Sequence, residues 1–505
     1  MSYSYVTNSG SNNVLQYSVG ASGELTALGA VLAGTNPRGI AITTDNKYAY
    51  VTNFGSNTIS QYSVSANGQL TALTTPTVLA GDNPKGITIT TDNKYVYVTN
   101  DITNGTISQY SVGTNGQLTA LSPSTVLAGN NPYKIAITTD NKYAYVTNSN
   151  GLTSNILQYS IGTSGELTAL SPSTVLAGIR PKGIAITTDN KYAYVTNRGV
   201  IDSNSGTISQ YSIGTNGQLT ALTTPTVLAG NIPEGIAITT DNKYAYVTNT
   251  NGGLSNILQY SIGTSGELTA LGTVSTDNNP EGIAITTDNK YAYVTNDITN
   301  GTISQYSIGT NGQLTSLGTV SAGITPIGIA VITFPPYPCF KEGSKILTSQ
   351  GYKLIQDLKK GDLVKTLNDY KAIDMIGKRD IQHNACEERI KDQLYVCSRE
   401  NYEVWEDLVL TGCHSLLVDD FKDQEREKTI EVNGAAYVTE GKLRLPACVD
   451  ERAMVYEIPG TYTIYHLALE NDDYYMNYGI YANGLLVESC SKRYLKELSN
   501  MTLID

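Results

Sequence analysis

The segment Tyr-Val-Thr-Asn begins at Tyr5, Tyr50, Tyr97, Tyr145, Tyr194, Tyr246 and Tyr293, and no other feature restricts the fold of this 505-residue chain as strongly. The copies recur every 45 to 52 residues. Each full repeat reads P-x-G-I-A-I-T-T, D-N-K, Y-A-Y-V-T-N, T-I-S-Q-Y-S-V and G-Q-L-T-A-L in that order. Asn and Asp tolerate left-handed backbone conformations, so Asp45–Lys47 and its copies are expected to be turns. The flanking segments alternate apolar and small polar residues, as in Gln16-Tyr17-Ser18-Val19, which is a strand pattern. Four short strands in roughly 45 residues is the signature of a propeller blade.

The phase of the repeat predicts how the ring closes. The chain opens on a second strand, Tyr3–Asn8, and the repeats end on a lone first strand, Gly328–Thr333. Seven first strands and seven second strands then make seven blades, one of them split between the two ends, and the split removes an exposed edge. Residues 1–334 resemble the YVTN family of seven-bladed β-propellers.

Composition divides the chain sharply. Residues 1–334 carry 12 Lys/Arg and 16 Asp/Glu, and the remaining 171 residues carry 50 charged side chains. All six cysteines, all three histidines and Trp405 lie beyond residue 334. The boundary is the Pro-rich stretch Phe334-Pro-Pro-Tyr-Pro-Cys339, with 335–338 as a linker. The formal net charge of −12 argues against a general phosphate-binding surface, hence against a nucleic-acid partner. No apolar run approaches the ~18 residues of a membrane span, and no signal-peptide pattern follows Met1. The expectation is a soluble, intracellular protein made in a reducing compartment.

Some YVTN-like propellers resemble lactonases, but this ring has no His and no Cys, and its acidic residues stand singly on turns. A rigid scaffold for a protein or glycan ligand is the reading that composition favours. One column of the repeat is polarised. The residue between Pro and Gly before each inner strand is Arg38, Lys85, Lys182, Glu234, Glu281 and Ile327, and Tyr133-Lys134 replaces the pair in the third repeat. Inner strands line the central channel, so these side chains are expected to rim one mouth of it and to orient a zwitterionic or dipolar partner. The alternative is free variation at exposed turn positions.

Beyond the boundary the sequence reads Cys339-Phe-Lys-Glu-Gly-Ser, then Gly351-Tyr-Lys-Leu-Ile-Gln-Asp-Leu-Lys-Lys-Gly-Asp362, then Leu410-Thr411-Gly-Cys413-His414, then Asn483-Gly-Leu-Leu-Val-Glu-Ser489-Cys490. In order and position these resemble the motifs of the Hint fold shared by hedgehog autoprocessing domains and inteins. The resemblance covers 339–490 and leaves 491–505 as a C-terminal tail. The expected fold class is all-β throughout: a seven-bladed β-propeller with split-blade closure, then a Hint domain.

A cysteine in the first position can attack the carbonyl before it and turn the Pro338–Cys339 amide into a thioester. The site must then polarise the bond and protonate the departing nitrogen. A Thr and a His three residues apart can supply a hydrogen bond and a general acid. The resemblance implies these roles for Thr411 and His414. It implies further that Cys490 approaches Cys339 as a thiol-exchange partner, and that Asp380 lies near, though two positions off, the place of a hedgehog aspartate. Glu488-Ser489 stands where inteins carry His-Asn, which argues against splicing. Only 15 residues follow Cys490, which argues against a sterol acceptor. Pro338 replaces the Gly of hedgehog proteins, and its ring hinders the acyl carbonyl.

His383, Cys386, Cys397, Cys413 and Cys448 fit no zinc spacing well, so no metal and no cofactor is expected. His466 lies on an apparent strand and reads as structural. The expected function is that of a precursor whose single-turnover cysteine autoprocessing releases the propeller. The alternative is a non-catalytic propeller interaction protein with an inactive Hint domain. Similar modules follow repeat domains in large DNA viruses, and that analogy would suit a virion-associated protein.

Overall fold

A computed structural model describes residues 2–504 except 21, 66, 150–153, 201–204, 251–254, 334–337, 384, 387–388, 392, 423, 434 and 500. The chain separates into two units, one spanning Ser2–Thr333 and the other everything after it. Most of the Pro-rich linker therefore lies outside the described residues.

The first unit consists of seven four-stranded antiparallel sheets. One blade runs Pro37–Ile42, Tyr48–Asn53, Thr58–Val64 and Leu70–Leu79 from the channel outward. The Asp-Asn-Lys turns form as expected: Asn46 has φ 57°, and its five copies lie between 57° and 59°. Each such Asn also ties one blade to the next, as where Asn93 Oδ1 accepts the Thr44 N–H at 2.8 Å.

The excess of Tyr over Phe, 36 to 4, has a structural cause. The first Tyr of each Tyr-Val-Thr-Asn copy is buried between blades, and its hydroxyl donates to a glycine carbonyl of the next blade. Tyr50 reaches Gly116 at 2.7 Å, Tyr97 reaches Gly165 at 2.7 Å, and Tyr293 crosses the seam to Gly23 at 2.8 Å. A phenyl ring would fill the same space and leave a buried carbonyl unpaired. The seam itself is the split blade. Ser2–Asn8 pairs antiparallel with Pro326–Thr333, with Ser2 opposite Thr333.

The second unit is also built of strands, with one α-helix, Glu425–Asn433, among the described residues. Its first strand, Phe340–Lys341, is wedged between Leu408–Thr411 and Gly460–Leu469, with Phe340 opposite both Leu410 and Tyr465. A long ladder joins Tyr370–His383 to Gly460–Leu469. Phe340, Ile376, Leu410, Tyr465 and Leu467 belong to one buried core. The segment after Cys490 is more than a tail. Thr502–Ile504 pairs with Tyr370–His383, and buried Leu495 and Met501 pack against Gly377, where a Cβ would meet them at 2.8 and 2.9 Å.

Candidate functional site

Phe340 anchors the first strand of the second unit in its core, so the residue before it is pinned. Cys339 is fully buried. Leu408–Thr411 ends in a tight turn closed by the His414 N–H on the Thr411 carbonyl at 2.9 Å. The Cys339 N–H, which belongs to the Pro338–Cys339 amide, donates to Thr411 Oγ1 at 2.8 Å, and the Thr411 N–H returns to the Cys339 carbonyl at 3.0 Å. His414 is fully buried, with its ring 4.3 Å from that of Phe340. Its Nε2 lies 3.1 Å from the Glu488 carbonyl oxygen. A carbonyl only accepts, so Nε2 carries the proton and Nδ1 the lone pair. Nδ1 is buried without a hydrogen bond among the described residues. Burial pushes the His414 pKa down to about 3 against the opposing pull of the Glu488 and Cys339 backbones, so the ring is neutral near pH 7.

The structure brings Cys490 to the same place. It bridges Ala468, its N–H donates to the Leu467 carbonyl at 3.1 Å, and its thiol lies 3.3 Å from that oxygen. Burial pushes the Cys339 thiol well up, the nearby Cys490 adds to the rise, and the Arg379 guanidinium opposes it. Burial and the Glu488 charge likewise raise Cys490. Both sulfurs are thiols near neutrality.

Asp380 is not brought to this cluster. Strand alternation buries Arg379 and Ile381 and turns Asp380 to the solvent, where it accepts a 2.7 Å hydrogen bond from Thr463 Oγ1. Sequence reading missed Arg379, and the period-two pattern around it was the available signal. It also placed His466 as structural. The ring lies 5.2 Å from that of His414, is fully buried, and neither of its nitrogens has a hydrogen-bond partner among the described residues. His383 is held by the Tyr456 carbonyl at 2.5 Å and the Leu394 N–H at 3.2 Å. Among the described residues no three His, Cys, Asp or Glu side chains converge as a metal-binding group.

The first unit has its own cluster. The polarised column does not sit on exposed turns; it forms a collar inside the channel, around a cavity of about 190 Å³. Arg38, Lys85, Lys134, Glu234 and Glu281 all line it. Glu234 is only 4% exposed because it lies within the inner strand Ile232–Ile238 and turns inward. It pairs with Arg198 through Oε1, while Oε2 has no hydrogen-bond partner among the described residues. Lys85 pairs with Asp101. Tyr133 reaches across the channel, with Lys182 at 3.8 Å and Lys85 at 4.6 Å from its ring centroid and its hydroxyl 3.1 Å from Glu281 Oε1. Burial pushes Glu234 up, reinforced by Glu281, and pushes Lys182 and Lys134 down.

The family model of the seven-bladed β-propeller lactonases matches residues 2–79, 59–182, 167–262 and 245–332, overlapping spans that take in nearly all of the first unit. The chain belongs to that family. A Hint-domain model matches residues 338–493. No curated protein matches the chain. Among solved structures, this lactonase-family ring is similar to the periplasmic gluconolactonase of Pseudomonas aeruginosa, at 17% identity over 66% of this chain and 99% of that one, with a TM-score of 0.55. A candidate 6-phosphogluconolactonase from Bacteroides fragilis is 21% identical over 66% and 98%, with a TM-score of 0.56. A protein of unknown function from Desulfotomaculum acetoxidans is 19% identical over 65% and 98%, at 0.54. At these identities the likeness is one of fold alone. In this lactonase-family propeller, sequence reading missed Arg198 and the reach of Tyr133. The signal for Arg198 was the position after Tyr-Val-Thr-Asn, which no other repeat fills with a cation.

Proposed function

We propose that the second unit is a self-processing module that breaks the Pro338–Cys339 bond and releases the lactonase-family propeller as a binding module. The observation that carries this reading is the hydrogen bond from the Cys339 amide nitrogen to Thr411 Oγ1, with neutral His414 beside it. Cys339 Sγ attacks the Pro338 carbonyl carbon, an S–C bond forms, the C–N bond breaks, and the thiol proton ends on the new Cys339 amine. Both groups begin neutral, which suits His414 Nδ1 to take the thiol proton as a base and return it to nitrogen as an acid. Thr411 orients the amide, and buried Arg379 stabilises negative charge at sulfur. The resulting thioester goes to water or to an external thiol.

The ring's family and two of the three solved structures described above are named for lactone hydrolysis. The carboxylates lining the cavity are Glu234, whose Oε1 pairs with Arg198, and Glu281, whose Oε1 accepts from the Tyr133 hydroxyl, and no His or Cys of the ring accompanies them. We therefore read the ring as a binder. Among the described residues no helix is long and apolar enough to cross a membrane.

Intact mass of the purified full chain, followed over hours with and without dithiothreitol, tests the processing. Two fragments meeting at Pro338–Cys339, accumulating faster with thiol, are the expected result. A single intact chain indifferent to thiol and hydroxylamine overturns it in favour of an inactive Hint domain.

A further inference from the structure

Six of the seven inner strands carry glycine one residue after the collar position, at Gly39, Gly86, Gly183, Gly235, Gly282 and Gly328. The reason is close approach. A Cβ on any of them would lie 2.3–2.6 Å from a carbonyl oxygen of the neighbouring inner strand, nearer than real contacts allow. The seventh strand has Lys134 in this position. Its backbone N–H reaches the partner threonine hydroxyl at 3.1 Å, where the six glycines hold 2.8–2.9 Å. The lysine places a basic side chain in the cavity, where Glu281 and Glu234 are its nearest opposing charges. A residue that breaks a local rule without a packing gain marks a functional position.

Two further observations fix what it would meet. Glu234 Oε2 is an unpartnered, almost wholly buried carboxylate oxygen lining the same cavity. Besides the collar residues, which include Arg38, Lys85, Tyr133 and Glu281, the lining is apolar, with Ile40, Ile184, Ile236, Ile283 and Ile329 following the collar. Resting on the reading of the propeller as a binding module, we propose that the cavity takes a small zwitterion with an apolar tail, the chemistry of a branched α-amino acid. Its carboxylate lies against Lys134 and Arg38, its ammonium against Glu234 Oε2, and its side chain among the isoleucines. The cavity, at about 190 Å³, is smaller than the roughly 300–1,000 Å³ of sites for drug-sized ligands, which suits a metabolite of this size.

Titration calorimetry on the full chain decides it, with L-leucine as probe and two analogues that each lack one charge, 4-methylpentanoate and isoamylamine. L-leucine is expected to bind, and each analogue to lose at least about tenfold, roughly 1.4 kcal/mol. Lys134→Gly restores the residue of the other six blades. It is expected to weaken L-leucine at least about tenfold while leaving the propeller's melting temperature unchanged or higher. Equal binding of 4-methylpentanoate, no binding of L-leucine at about 1 mM, or a lower melting temperature in Lys134→Gly would each overturn the proposal. Gluconate and gluconolactone complete the panel. If either binds while L-leucine does not, the ligand class falls and the binding-module reading stands.

Discussion

The two halves of this chain bury polar groups for opposite ends. In the propeller, many buried tyrosine, threonine and glutamine side chains find a backbone partner in a neighbouring blade, as Tyr50 finds Gly116 and Thr52 finds the Lys85 carbonyl at 2.8 Å. In the Hint unit, His414 Nδ1 and both His466 nitrogens are buried without such partners among the described residues. Buried polar groups are ordinarily satisfied, and the exceptions concentrate where chemistry happens. The comparison teaches where to look: among the ionisable side chains of the ring, buried atoms without hydrogen-bond partners among the described residues occur at Arg38, Arg198 and Glu234, and in the second unit two histidines, His414 and His466, share that condition beside one amide bond.

The contrast breaks most severely at Cys339. Replacing it with Ala removes the attacking sulfur, so cleavage should vanish on a gel time course while the fold is kept. Cleavage at the same bond in that variant would sink the mechanism. His414→Ala keeps the nucleophile and loses the proton carrier, and should slow fragment formation by about 10²–10⁴-fold, with Thr411→Ala costing less. Pro338→Gly uncovers the acyl carbonyl and should accelerate cleavage by about tenfold. An unchanged rate would show that proline hindrance does not restrain the module.

Acid should sharpen the comparison. Burial holds His414 at about 3 against 6.5 for the free side chain, and lowers His466 as well. The unfolded chain therefore takes up protons below about pH 6.5 that the folded unit refuses. Stability is whole above pH 6.5 and is lost as pH falls toward 3, by on the order of 4 kcal/mol from His414. The propeller has no histidine. Glu234, raised by burial, acts with the opposite sign, because its contribution is present below the ordinary carboxyl range and is lost as pH rises. The lowered Asp92, Asp140, Asp189 and Asp241 act only below the ordinary carboxyl range, where their contribution is lost as pH falls. Calorimetry between pH 7.5 and pH 4.5 should then lower the Hint transition on acidification without lowering the propeller's, and a parallel fall of both would contradict this account.

The smallest effect tests the seams of the ring. Tyr50→Phe leaves the ring packing intact and orphans the Gly116 carbonyl, so it should cost about 1–2 kcal/mol in denaturant melts and leave cleavage untouched. A neutral result would mean that water replaces the phenol.

The blade count and the split blade were legible in the sequence because each follows from the repeat, whereas Thr411 and His414 were singled out by a resemblance and the turn that joins them was not read. What was not legible depended on contacts between distant segments. Arg198 and Glu234 are 36 positions apart, and no pattern within one repeat joins them. Arg379 faces Cys339 only because the Tyr370–His383 ladder settles into one of two alternating registers, and a one-residue slip would have turned Asp380 inward instead. The collar's position was predicted, but its depth was not, because burial of Glu234 depends on the close approach that the neighbouring glycines allow.

The split blade also sets a timetable. Ser2 and Thr333 are 331 residues apart, so at about 5–20 residues per second the opening strand waits roughly 17–66 s for its partner to be synthesised. Glu488, whose carbonyl fixes the His414 tautomer, follows Thr333 by 155 residues (488 − 333), a further 8–31 s or so at the same pace. The ribosome thus finishes the last strand of the ring well before it finishes the site that would cut behind it, and the order of synthesis alone gives the cargo time to close.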